Sequence, residues 1–133
     1  MRDEPTGEQL LETARNVLRE EILPALPPER KHAALMIANA MAIAMRQLTH
    51  GEDGERRELR SLETLLGHAG RDEPADKAEL RRLLTERDRE FARAIRAGRA
   101  DAGAWRDAAR QHLLDAIRAK VMESNPKYLG GQG

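Results

Sequence analysis

The chain has 133 residues, with 23 basic and 23 acidic side chains. It is therefore the size of one domain and has no net charge to draw it onto a nucleic-acid backbone. It contains no cysteine, which excludes disulfides, thiol catalysis and a cysteine-ligated zinc.

The first predicted helix starts at Thr6, an N-cap with Gln9 three residues on, and turns Leu10, Leu11, Ala14, Val17, Leu18 and Ile22 inward. Pro24 lacks an N–H and disfavours a helical Leu23, so the helix ends or kinks there. Pro27-Pro28 then forces a turn. The second helix, from about Glu29 to Leu48, is rich in alanine and methionine and apolar nearly all round, so a place inside the bundle is expected. After the polar turn Thr49–Gly54, Leu59, Leu62, Leu65 and Leu66 mark a short third helix closed by Gly67. Residues 68–76, with Gly70, Pro74 and several charges, read as a mobile loop. The fourth helix turns Leu80, Leu83, Leu84, Phe91 and Ile95 inward and stops at Gly98. Asp101 is expected to cap the fifth, whose inner positions read as Trp105, Ala109, Leu113, Ile117 and Val121, ending at Asn125-Pro126.

No stretch alternates long enough to form a strand. The reading is an all-α, single-domain bundle over 1–133, of about five helices around a buried Ala/Met-rich second helix, with 1–5 and 130–133 disordered. The opening MRDEPTGEQ has no apolar core of the kind a secretory leader needs. The longest apolar run, Ala33 to Met45, is broken by Asn39 and is shorter than the roughly 20 residues of a membrane span. A cytoplasmic protein with no membrane or nucleic-acid partner is expected.

On the second helix, His32, Asn39 and Arg46 recur every seven residues and fall, with Leu35, in a sector of about 60°. Successive members stand about 10.5 Å apart along the axis, so they line a groove and form no compact triad. His32 could act as acid, base or donor, Asn39 as a two-way polar anchor and Arg46 as a clamp for carboxylate or phosphate. The structural alternative has a buried Asn39 satisfying a neighbouring helix, with His32 and Arg46 reaching solvent or an acidic residue. Near the C-terminus, Tyr128-Leu129 could fold back after Pro126 as an apolar plug. Lys120, Asn125 and Tyr128 from this stretch complete the candidate ligand-binding set.

No catalytic, metal or cofactor site is read. Helical di-metal centres need two Glu-x-x-His pairs, and only Glu29–His32 has that spacing. Ser61 and Ser124, the only serines, lie in no nucleophile motif. Arg/Glu runs such as Glu86-Arg87-Asp88-Arg89-Glu90 read as solvated ion-pair faces, and Phe91 and Trp105 as core.

Several motifs together resemble an uncharacterised bacterial family of small all-helical proteins. They are Pro5-Thr6 with Leu10-Leu11, Glu21 with Pro24 and Leu26, His32 with Ala38-Asn39-Ala40, Ile43 and Arg46, and Lys120 with Asn125-Pro126-Lys127-Tyr128-Leu129. Genes of that family often lie beside those for acyl-CoA dehydrogenases and kinases similar to aminoglycoside phosphotransferases. The resemblance implies a non-catalytic accessory or interaction protein working with such a phosphotransferase-like kinase or acyl-CoA dehydrogenase in fatty or hydroxy acid breakdown. The alternative is a bundle binding acyl-CoA or a phosphate-containing ligand, or an enzyme, using His32, Asn39, Arg46 and Tyr128. A homodimer is compatible with either.

Overall fold

The computed structural model describes residues 4–130, most of which are helical, with no strand among them. Contacts group the chain into two compact units, Met1–Gly51 and Glu52–Gly133.

In the first unit, α1 spans Gly7–Val17 and begins with the expected reciprocal cap. Thr6 Oγ1 accepts from the Gln9 N–H at 3.3 Å, and Gln9 Oε1 accepts from the Thr6 N–H at 2.7 Å. The end of the helix answers to Pro24, which has no N–H and whose ring would crowd the carbonyl four residues back. The chain widens into a π turn over Leu18–Ile22, where the Leu23 N–H reaches back to the Leu18 carbonyl, and closes with a 3-10 turn over Leu23–Ala25. Helix α2, Pro28–His50, starts with proline at its first position, where the missing N–H costs nothing, and stops at Gly51 with φ 57°.

Helices α1 and α2 run antiparallel: Gly7 lies beside Leu48, and Arg15 Nε donates to the Ala38 carbonyl at 3.1 Å. The buried residues of α2 are Ala34, Ala38 and Ala42, a ridge at four-residue spacing against which α1 lies. The expectation of a second helix buried all round is corrected here, because Leu35, Met36, Ile37 and Leu48 are all exposed in this chain. Small side chains allow α1 to approach closely, and the larger apolar residues point elsewhere.

In the second unit, α3 (Asp53–Leu66) packs against both α4 (Lys77–Arg96) and α5 (Gly103–Ser124). Leu62, Phe91 and Ala109 form the centre of its core, flanked by Leu65, Leu66, Leu84 and Trp105. Trp105 buries its ring beside Phe91, with centroids 5.8 Å apart, and satisfies its indole N–H on the Leu65 carbonyl at 2.9 Å. Gly67 closes α3 in the left-handed region at φ 78°.

The 68–76 connection is irregular and carries ion pairs and a buried proline. Pro74 is buried and its carbonyl accepts from Arg56 Nη1 at 2.8 Å, while Glu73 pairs with Arg60 and Arg56. Asp76 caps α4 through the Glu79 N–H. Asp101 does not cap α5: the N-cap is Ala102, with no side-chain hydrogen bond, and the Asp101 carboxylate lies against Gly98. The chain adds a sixth short helix, α6, Pro126–Gly130, so Gly130 is helical; the expectations for 1–3 and 131–133 lie outside the described residues.

The inner stripe of α5 also differs from the one read from sequence. Buried or half-buried positions are Trp105, Ala109, His112, Ala116, Val121 and Glu123, so Trp105, Ala109 and Val121 lie where they were read, whereas Leu113 and Ile117 are exposed. A pure four-residue step drifts about 40° per step around a helix, so a stripe that stays on one side must alternate steps of four and three. That alternation places a histidine inside.

Candidate functional site

His32 and Asn39 are exposed and Arg46 is half-buried. Their shared sector lies beside the alanine ridge that faces α1, so the expected burial of Asn39 against a neighbouring helix is not found. In the other unit, Tyr128 is 78 % exposed and forms no apolar plug. Asn125 ends α5, and its carbonyl accepts the Tyr128 N–H at 3.0 Å, so these two meet through a backbone turn that starts α6. Lys120 Nζ lies 3.9 Å from Glu58 Oε1.

That contact belongs to a polar seam between α3 and α5. One turn from Glu58 along α3, Ser61 Oγ lies 2.8 Å from Nδ1 of the buried His112. Phe91 meets the same imidazole edge to face at 5.3 Å. Burial holds His112 below the ordinary imidazole range, while Glu58, Asp88 and Asp115 pull in the opposite direction. The neutral ring therefore has one nitrogen engaged by a hydroxyl and a face closed by an aromatic neighbour. A serine beside a neutral histidine is the beginning of a nucleophile–base pair, but catalysis also requires an oriented base and donors for a developing oxyanion. Here the geometry joins two helices, and the hydroxyl satisfies a buried ring.

A second polar group lies between α3 and α4. Arg87 is 4 % exposed, contrary to the reading of its charge run as wholly solvated. It occupies the inner stripe Leu80–Leu84–Arg87–Phe91, with the same steps of four, three and four. Its Nη1 lies 3.1 Å from Glu86 Oε1 and 3.6 Å from Glu90 Oε2, and its Nε is 3.9 Å from an oxygen of the buried Glu63. Arg87 Nε and Glu55 Oε2 are buried without a hydrogen-bond partner. His68 Nε2, just past the end of α3, is 3.0 Å from both carboxylate oxygens of Glu90. The remainder of the α4 surface matches the expected solvated pattern, with Arg82 bridging Glu79 and Glu86.

Sequence reasoning missed Ser61, His112, Glu63 and Arg87. The available signal was their position: each polar residue on α4 and α5 falls where the four–three alternation of its apolar neighbours points inward. Among the described residues, no group of three or more histidine or acidic side chains could hold a metal ion. None of the described helices is long and apolar enough to cross a membrane.

No curated protein and no solved structure matches the chain. The model of one protein family, described as a domain of unknown function (DUF6285), matches residues 24–128. This range holds the His32…Ala38-Asn39-Ala40…Arg46 run and the Asn125-Pro126-Lys127-Tyr128 segment, whereas Pro5-Thr6, Leu10-Leu11 and Glu21 precede it. With the match covering most of its length, the chain belongs to the DUF6285 family.

Proposed function

We propose that the chain is a non-catalytic accessory protein that docks, through an apolar helix face, onto a phosphotransferase-like kinase or an acyl-CoA dehydrogenase in bacterial fatty or hydroxy acid breakdown. The observation that carries this reading is the outer face of α5. There Leu113, Leu114 and Ile117 are all exposed and fall within a sector of about 100°. Large apolar side chains clustered on one exposed helix face mark interaction surfaces more often than scattered ones do. The arrangement of the polar groups agrees with such a role: Ser61, His112, Glu63 and Arg87 hold helices together.

Co-expression with a kinase or dehydrogenase of the stated class, followed by affinity capture, tests the reading. The parent should retain its partner, and Ile117→Asp should lose it while keeping its helical circular dichroism. Equal capture by the variant would overturn the proposed face. Calorimetric titration of the isolated chain with acyl-CoA and with ATP should show no appreciable binding. Micromolar binding that Arg46→Lys weakens by about tenfold, roughly 1.4 kcal/mol, would replace this reading with a ligand-binding bundle.

A further inference from the structure

Helix α2 has two apolar faces, and α1 uses only one of them. The used face is the alanine ridge, with Ala38 at 3 % exposure. Around the helix from it, a sector of about 160° holds Met36, Ile37, Met41 and Ile43 with alanines between them, and near its edge Leu48, which also touches Gly7 of α1. Between Ala33 and Leu48, Gln47 is the one polar side chain of this sector, while Glu29 and Arg30, in the first turn of α2, fall in the same sector. Met36 is 61 % and Ile37 51 % exposed, although each is a large apolar residue in the middle of a helix 23 residues long. From Ala33 to Met45 there is no charged residue at all. A solvent-facing helix ordinarily carries charge on its outer side.

We propose that this second face of α2 pairs with the same face of a second copy of the chain, so that two α1–α2 hairpins close into a four-helix bundle. Two arguments select another copy as the occupant. The first is charge. In a two-fold interface, residues near the axis meet their own equivalents, so a charged patch repels itself and a charge-free patch does not. The second is the want of a core: among its described residues the α1–α2 unit buries only Ala34, Ala38 and Ala42, and the pairing would supply one.

This inference stands apart from the accessory reading, which rests on α5. Sedimentation velocity and light scattering on the full-length chain should give twice its mass of 14.9 kDa at micromolar concentration. Met36→Glu combined with Ile37→Glu should weaken dimerisation by about 100-fold, and Ile117→Asp should leave it unchanged. Because the chain has no cysteine, Ala40→Cys places a single thiol at the centre of the face and should give a covalent dimer on oxidation, whichever way the two helices run. This second variant adds no buried charge and so covers the case in which the double glutamate fails to fold. A monomeric parent, a dimer indifferent to the paired glutamates, or a dimer in which Ala40→Cys does not cross-link would each overturn the proposal. A monomer that still captures a kinase or dehydrogenase defeats this inference alone. A dimer that captures neither defeats only the accessory reading.

Discussion

Ser61 Oγ and His112 Nδ1 stand 2.8 Å apart and tie α3 to α5 across 51 positions of sequence. Replacing Ser61 by alanine removes the hydroxyl and leaves a buried ring nitrogen without its partner. Ser61→Ala should cost about 1–3 kcal/mol, read as a lower urea midpoint at unchanged slope, and Ser61→Thr should recover part of it. A midpoint equal to the parent's would show that the hydrogen bond contributes nothing.

The same histidine makes stability depend on pH in a definite direction. Its folded-state pKa lies below the ordinary value because burial penalises the charged ring. The unfolded chain therefore binds the proton more readily than the folded one, and stability falls as pH drops below the ordinary imidazole value, levelling off below the folded-state value. Above that range the contribution is complete. Thermal melts between neutral and mildly acidic pH should show this decline, and His112→Gln should flatten it. An equal slope in the variant would assign the pH dependence to other groups.

Arg87 is buried against Glu63, with its Nε unsatisfied. Arg87→Met keeps much of the volume but leaves the buried Glu63 carboxylate uncompensated, at an expected cost of about 3–5 kcal/mol. The double variant Arg87→Met with Glu63→Leu removes both desolvated charges and should recover most of that loss, because apolar packing often replaces a buried ion pair without penalty. Denaturation of both variants and the parent decides the point. A double variant as unstable as the single one would mean that the charges are needed for packing.

Asn39 is exposed on α2, so its replacement by alanine strands no buried partner. Asn39→Ala should lie within about 0.5 kcal/mol of the parent and lean towards stabilisation, since alanine is the better helix former. A loss of 1 kcal/mol or more by chemical denaturation would place Asn39 in a contact made only in an assembled state.

Local chemistry was legible in the sequence wherever it depends on near neighbours. The Thr6–Gln9 cap, the break at Pro24, the start of α2 after Pro27 and the left-handed closure at Gly67 all follow from side chains within a few residues of one another. The all-helical class follows from the same kind of information. The Asp101 cap failed for a related reason: residue type suggested a cap, but the chain entered the helix one residue later, at Ala102.

Tertiary packing alone decided which side of each helix faces inward. Reading α5 by its largest apolar residues selects Leu113 and Ile117, yet α3 packs on the side that carries Ala109 and His112. In α4, Arg87 lies inside because it shares a stripe with Leu80 and Phe91. In α2, close approach to α1 favours alanines over methionines. The candidate set behaved in the same way. His32, Asn39 and Arg46 share a sector by helical geometry, but nothing in their spacing could reveal that Ser61 and His112 would meet across two other helices. Spacing along one helix sets angles on that helix, whereas contact between helices depends on volumes and partners that are distant in the chain.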